Sequence, residues 1–208
     1  MPEHDPAPTP RTPPEGEGAD LPAARRRDDD MNRRESPLVQ LAMLVRDICQ
    51  LRRGPEEMPY SKRLLGIFIG ASLAIDVLSE RVLGGHDALE RSLVSTGLVL
   101  VLCWIALAVR QLGNRYVQTA CALVACGIAF SLLVVPLVWL AGPTSTPLTP
   151  LQTLLAWATF AVLVWSVVVD AHILRRALDA PFGLGVALAL AWTIADWALG
   201  HALFDAPG

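Results

Sequence analysis

Five long apolar stretches constrain the fold of this 208-residue chain more than any other feature of its sequence. They cover residues 64–79, 92–109, 116–141, 151–174 and 182–204. The hydrocarbon core of a bilayer is about 30 Å thick, and a helix of roughly 20 mostly apolar residues crosses it. Because backbone hydrogen bonds in lipid must be made within the protein, an open strand is excluded. The sequence therefore predicts an all-α fold, a polytopic transmembrane helix bundle of about five spans.

The cationic residues near the span ends predict the orientation, because Lys and Arg are retained on the cytoplasmic side. They precede the first span and fill the second and fourth connections, as Arg46, Arg52, Arg53, Lys62, Arg63, Arg110, Arg115, Arg175 and Arg176. Residues 142–150 and the tail after residue 204 contain no Lys or Arg. The first connection is ambiguous, because three carboxylates offset Arg81 and Arg91 there. We therefore expect a cytoplasmic N-terminus and a C-terminus on the opposite side.

The first stretch is the weakest of the five, because it is short and contains Asp76. Small and polar residues are nevertheless tolerated in spans that pack against neighbouring helices. In a four-span alternative this stretch lies on the membrane surface. Either the C-terminal tail or the basic N-terminal segment then lies on the side of the membrane that its charges do not favour. With five spans, all connections except the ambiguous first one lie on the side that their charges favour.

The N-terminal third differs in composition from the rest of the chain. Residues 1–35 are rich in Pro, Glu, Asp and Arg, and they bury too little apolar surface to offset ordering entropy. We expect a disordered cytoplasmic tail that does not bind nucleic acid, and Met31 is an alternative candidate for the true start of the chain. The transmembrane domain then covers residues 60–206.

Residues 36–54 are predicted to form an amphipathic interfacial helix that begins at Ser36 and Pro37, an N-cap and first-turn pair. Apolar residues recur on one side at helical spacing, as Leu38, Leu41, Ala42, Val45 and Ile48. The segment is too short and too charged to cross a bilayer. Two positions remain open, one on the inner leaflet and one docked against the cytoplasmic ends of the spans.

Ionisable side chains inside or near the spans are the candidate functional residues, because burial in lipid costs on the order of a few kcal/mol. They are Asp76, Asp196, His201, Asp170, His172, Arg175 and Arg110. At a rise of about 1.5 Å per residue, Asp76 and Asp196 lie at nearly one level in the outer half of the bilayer. His201 lies roughly one turn further out. Interhelical hydrogen bonding is the favoured interpretation for the two carboxylates, and a shared proton or cation, if their helices touch, and catalysis are the alternatives.

A second polar group lies at the cytoplasmic end of the fourth span. Asp170, His172, Arg175 and Arg176 fall there at about the level of Arg110. The favoured interpretation is an ion pair between Asp170 and Arg110, with the other arginines reaching lipid phosphates. A binding or relay role for Asp170 and His172 is the alternative, although side chains two apart on a helix face different ways.

The sequence gives no sign of catalytic or metal-binding chemistry. It contains no Gly-x-Ser-x-Gly, no phosphate-binding glycine loop and no His-Glu-x-x-His. No His, Cys, Asp or Glu pair within a span has ligand spacing with a second pair to complete a site. Cys103, Cys121 and Cys126 lie in spans and are expected to pack as small apolar side chains. We therefore expect no enzyme activity, cofactor or metal.

Gly66 and Gly70 form a small-xxx-small pair in the first span. Such a pair lets another helix approach closely. Packing within the chain is the favoured interpretation, and dimerisation is the alternative.

Two short runs carry a family resemblance. Arg-Arg-Gly-Pro-Glu-Glu-Met-Pro-Tyr-Ser at residues 52–61 leads into the first span, and His-Ile-Leu-Arg-Arg-Ala-Leu at residues 172–178 closes the fourth. With the basic N-terminal segment and five spans, the chain over residues 38–204 resembles bacterial membrane proteins of the Yip family type. The eukaryotic members recruit small GTPases and shape vesicle membranes, but their Asp-Leu-Tyr-Gly-Pro motif is missing here, so GTPase binding is not carried over. The resemblance and the Ala, Leu, Arg and Pro bias imply a bacterial inner membrane protein with a periplasmic C-terminus.

Two functional hypotheses follow. The first is a non-enzymatic scaffold, accessory subunit or membrane organiser, with the lipid bilayer and another membrane protein or a homo-oligomer as partners. The second is a small oligomeric transporter or channel subunit that uses Asp76 and Asp196 for proton or cation coupling.

Overall fold

A computed structural model of the chain describes residues 37–83, 88–143 and 147–204. The chain divides into two compact units, Met1–Leu41 and Ala42–Gly208. Of the first unit, residues 37–41 are described, and they form the start of a helix. The predicted tail at residues 1–35 and the choice between two start residues lie outside the described part of the chain.

The described residues form six α-helices and two single-turn 3₁₀ helices, and they contain no β-strand. The α-helices are α1 (Pro37–Cys49), α2 (Lys62–Leu83), α3 (Ala88–Val109), α4 (Tyr116–Ala141), α5 (Pro150–Ala177) and α6 (Phe182–Phe204). The 3₁₀ helices are Pro55–Glu57 and Gly113–Arg115. The all-α prediction is therefore confirmed for the described residues.

Four helical segments are long and apolar enough to cross a membrane. They are Leu89–Val109, Gly113–Ala141, Pro150–Ala177 and Phe182–Phe204. These segments support the prediction of a multi-pass membrane protein. α2 does not join this set, because every 18-residue stretch within it contains three Lys, Arg, Asp or Glu residues. The fifth span stays a prediction.

α4 occupies the centre of the helical bundle. It packs against α2, α3 and α5, and α6 packs against α5 and α3, so that α2 to α6 form a closed circuit of neighbours. Small side chains in the first half of α4, such as Ala120, Cys121 and Ala125, are buried and let adjacent helices approach. We call the end of the bundle at Tyr116 the basal end and the end at Ala141 the distal end.

The start of α5 follows directly from its local sequence. Pro150 occupies the first turn, where its missing N–H needs no partner. The Thr149 side chain accepts a hydrogen bond from the Gln152 backbone at 3.2 Å, and the Gln152 side chain accepts one from the Thr149 backbone at 3.0 Å. This reciprocal capping box fixes the turn at the distal end of the bundle.

The last turn of α1 is docked on the bundle. Ile48 is fully buried, and the Trp165 indole donates a 3.1 Å hydrogen bond to the carbonyl oxygen of Cys49. The chain then reverses at Leu51, which has a left-handed φ of 62°. The docked alternative thus describes the end of this helix, and a membrane-surface position for its earlier turns stays a prediction.

The predicted packing of Gly66 and Gly70 within the chain is wrong. Both glycines are exposed, and no described atom of another element lies within 4 Å of a Cβ built on either. On the same helix Asp76 turns toward α3, where it meets Ser92. At about 3.6 residues per turn, Gly66 and Gly70 lie roughly 80° and 120° around α2 from Asp76, on a side that is open.

Candidate functional site

The five helices α2 to α6 line an open cavity of about 620 Å³ in the distal half of the bundle. Each helix contributes to its lining, and the apolar part comes from residues such as Phe130, Val134 and Val162. The polar residues among the described lining are Asp76, Ser79, Arg91, Ser92, Ser95, Ser131, Thr159, Ser166, Asp196 and His201. The structure therefore brings Asp76, Asp196 and His201 to one cavity.

Asp76 is held by a hydroxyl group of the neighbouring helix. The Ser92 hydroxyl, which is buried, donates a 2.5 Å hydrogen bond to Oδ2 of Asp76. This bond joins α2 to α3 near their distal ends. It satisfies one of the two carboxylate oxygens of Asp76.

Asp196 has a different environment on α6. Its side chain is half-buried, and within the described residues no hydrogen bond or ion pair reaches its carboxylate. Aromatic rings accompany the charged groups nearer the distal end. The His201 ring meets Trp197 edge to face at 4.5 Å between centroids, and the Arg91 guanidinium lies 5.2 Å from the centre of the Phe204 ring.

A smaller cavity of about 230 Å³ continues the larger one toward the basal end. Three residues line both cavities, namely Asp76, Ser95 and Ser131. The other described lining residues are Ser72, Thr96, Val99, Leu123, Val124 and Gly127. Asp76 therefore stands at the junction between the two spaces.

The basal side of the smaller cavity is closed by tightly packed side chains. Cys103 and Cys121 are fully buried, and Leu107 is 1% exposed. These residues follow Val99 on α3 and precede Leu123 on α4, so they lie between the smaller cavity and the basal end. The pair of cavities therefore extends from the distal end to about the middle of the bundle and stops there.

The second predicted group lies at the basal end, outside both cavities. The His172 ring nitrogen is 3.1 Å from the Arg53 carbonyl oxygen, and Arg176 forms a 3.0 Å ion pair with Glu56. The Arg175 guanidinium lies 5.7 Å from the centre of the Phe182 ring. These contacts fasten the segment after α1 and the start of α6 to the end of α5.

The predicted ion pair between Asp170 and Arg110 is wrong. Arg110 donates a 3.2 Å hydrogen bond to the carbonyl oxygen of Leu178. Asp170 lies eight residues before Leu178 on the chain, which is about 12 Å along a helix axis at 1.5 Å per residue. Arg110 is therefore hydrogen-bonded to a backbone oxygen that lies well beyond the level of the Asp170 carboxylate along the bundle.

Asp170 lies instead beside two thiols that the sequence did not connect. Cys49 and Cys126 are hydrogen-bonded to each other, and the Asp170 carboxylate interacts electrostatically with both. The hydrogen bond from Cys126 lowers the pKa of the Cys49 thiol, while burial and the Asp170 charge act in the opposite direction. Seventy-seven positions separate the two cysteines, so no local spacing could reveal their contact.

The hydroxyl partners of the cavity were also missed by the sequence analysis. A signal for them exists, because Ser72, Asp76 and Ser79 recur at the spacing of one helix face. Ser92, Ser95 and Thr96 do the same on α3. Within residues 37–83, 88–143 and 147–204, no three His, Cys, Asp or Glu side chains come together as a group that could hold a metal ion.

A scan against protein-family models, a search of curated proteins and a search of solved structures each found no match. Functional inference for this chain therefore depends on its own residues and their geometry.

Proposed function

We propose that this chain is a five-span subunit of a small oligomeric transporter or channel, which binds a proton or a cation at Asp76 and Asp196. The observation that carries the proposal is the shared cavity, lined by both carboxylates and by all five helices. A carboxylate removed from bulk water is stabilised by a proton or by a positive charge. Ionisable residues that face the interior of a membrane bundle commonly mark such pathways.

The proposal takes α2 as the fifth span. Its 22 residues rise about 33 Å at 1.5 Å per residue, which matches the roughly 30 Å hydrocarbon core. Most of its charges lie at its ends, where they can reach the headgroups. The exception, Asp76, accepts a hydrogen bond from Ser92, which lowers the cost of placing it in the bilayer.

The proposed orientation has the basal end in the cytoplasm of a bacterial cell and the distal end in the periplasm. Arg110, Arg115 and Arg176 lie at the basal end, and residues 142–143 and 147–150 of the distal connection carry no Lys or Arg. Cationic residues are retained on the cytoplasmic side of the inner membrane. The two cavities then open toward the periplasm and are closed toward the cytoplasm.

The test is ion flux through the purified protein reconstituted in liposomes, with a pH-sensitive dye inside and an imposed proton or cation gradient. We expect flux from the unmodified protein and its loss in the Asp76→Asn, Asp196→Asn double variant. Asp170→Asn is the matched control, because Asp170 also lies within a predicted span but lines neither cavity. Flux in the double variant equal to that of the unmodified protein would contradict the proposal, as would unmodified protein no more active than empty liposomes.

A second candidate, an accessory subunit or scaffold in a membrane complex, is favoured by the outward-facing glycines of α2. Gly66 and Gly70 leave open space against which another helix could pack. Co-purification from the native membrane in mild detergent, followed by native mass determination, separates the candidates. A foreign protein at fixed stoichiometry supports the accessory subunit, whereas a homo-oligomer supports the transporter or channel.

A further inference from the structure

Four hydroxyl-bearing residues that line the smaller cavity have no hydrogen-bond partner among the described residues. Ser72, Ser95, Thr96 and Ser131 make no hydrogen bond to any residue in the described part of the chain. Serine and threonine in helices can donate to a carbonyl three or four residues earlier. Several in the bundle do so, as Ser79 to Ile75, Thr119 to Arg115, Ser166 to Leu163 and Thr193 to Ala189.

These hydroxyl-bearing residues come from three helices and line the same cavity as one carboxylate. Ser72 and Asp76 lie on α2, Ser95 and Thr96 on α3, and Ser131 on α4. Their oxygen atoms can donate lone pairs to a cation while the hydroxyl protons turn away. The arrangement supplies neutral oxygen ligands around one negatively charged group.

The charge of the smaller cavity determines how many positive charges a bound ion can carry and still be neutralised. Asp76 is the one ionisable side chain among the described residues that line it, whereas Asp196 and His201 line only the larger cavity. A single carboxylate neutralises one positive charge, and an excess charge in low dielectric is costly. A divalent ion would therefore remain half-neutralised there.

The side-chain oxygen atoms that line the smaller cavity favour a hard metal ion. Carboxylate and hydroxyl oxygens suit ions that prefer oxygen, and the described lining offers no thiol or imidazole for a softer transition metal. The volume of about 230 Å³ holds several waters at roughly 30 Å³ each. A small alkali ion that keeps part of its hydration shell fits this space.

We propose that the smaller cavity binds one partly hydrated monovalent alkali cation of the size of Na⁺, held by Asp76 and by the hydroxyls of Ser95, Thr96 and Ser131. The larger cavity, with Asp196 and His201, is its entrance from the distal end. This inference rests on the proposed function, because both use Asp76, and it names the ion as a metal cation and not a proton. The closed basal side makes the smaller cavity the inner limit of the entrance path.

The experiment is equilibrium binding of ²²Na⁺ to the purified full-length protein in mild detergent, at constant pH and with choline chloride holding ionic strength. We expect saturable binding of one ion per chain, lost in Asp76→Asn. The Ser95→Ala, Thr96→Val double variant removes two ligand oxygens without adding bulk, and it should weaken binding by about tenfold or more. Unlabelled Li⁺ should compete, and choline should not.

The control is Ser166→Ala. The Ser166 hydroxyl lines the larger cavity but is already bonded to the Leu163 carbonyl oxygen at 2.8 Å, so its removal should leave the affinity for Na⁺ unchanged. Gel filtration reports folding, and if Asp76→Asn does not fold, the hydroxyl double variant decides the question.

Three results would overturn the inference. One is affinity unchanged in the hydroxyl double variant, and another is binding lost in Asp196→Asn but kept in Asp76→Asn. The third is absence of saturable Na⁺ binding in protein whose proton flux depends on Asp76 and Asp196, which would leave the proposed function intact. Absence of both binding and flux would remove the proposed function as well.

Discussion

Gly185→Ala is expected to loosen the contact between α5 and α6. A Cβ atom built on Gly185 overlaps the carbonyl oxygen of Ala171 and lies 3.2 Å from Cβ of Arg175. The overlapped oxygen belongs to the backbone of α5, so no side-chain rotation relieves the clash. The two helices must move apart, which also disturbs the packing of Ala189 and Leu174, both buried in this contact.

The size of the effect follows from two opposing terms. Inserting a methyl group into a closely packed contact costs about 1–3 kcal/mol. Alanine is a better helix former than glycine, which offsets at most about 1 kcal/mol. Because the overlapped atom belongs to the backbone, the packing cost lies in the upper part of its range, at about 2–3 kcal/mol. Subtracting the gain of at most about 1 kcal/mol leaves an expected net loss of roughly 1–2 kcal/mol in the free energy of unfolding for Gly185→Ala.

The assay is unfolding in mild detergent followed by tryptophan fluorescence. Gly183→Ala is the matched control, because Gly183 lies two residues earlier on α6 and has no neighbouring atom within 4 Å of its built Cβ. That variant should be as stable as the unmodified protein or slightly more stable. If Gly185→Ala were equally stable, the close approach of α6 to Ala171 would be refuted.

Two further predictions concern cysteine chemistry and the exposed side of α2. The hydrogen bond from Cys126 lowers the pKa of Cys49, so the alkylation rate of Cys49 should reach half its maximum at a lower pH than that of a free thiol, and Cys126→Ala should move that pH upward. An unchanged pH profile in Cys126→Ala would contradict this contact. Gly66→Ala with Gly70→Ala should leave the unfolding free energy unchanged or raise it by up to about 1 kcal/mol per site, measured in the same detergent, and a clear loss would show that the glycines pack within the chain.

The uncharged length of the apolar stretches was sufficient to predict most of the described helices. α4 and α6 begin and end at the bounds of the stretches 116–141 and 182–204. Depth along each helix predicts one level for Asp76 and Asp196, and the structure shows that they line one cavity. Both the helix bounds and this prediction depend on distance along a helix axis, which the sequence contains.

The errors concern which helices are neighbours and how each is rotated. Arg110 and Asp170 were expected to pair by level, yet α3 and α5 both pack on α4, and Arg110 bonds to the Leu178 carbonyl. The glycine side of α2 was expected to face inward, but Asp76 takes that direction to meet Ser92. Ser92 recurs with Ser95 and Thr96 on one face of α3, but this spacing does not tell which helix that face meets.

The measurement that tests the central claim most directly is the water accessibility of the cavity in the membrane. Ser131 lines both cavities, whereas the adjacent Leu132 is 58% exposed on the outer surface of the bundle. In right-side-out vesicles, a charged thiol reagent that cannot cross the bilayer should modify Ser131→Cys about tenfold faster or more than Leu132→Cys, because a thiolate forms in water and not in lipid. Equal rates at the two positions, or faster modification of Leu132→Cys, would show that Asp76 and Asp196 do not face a hydrated cavity.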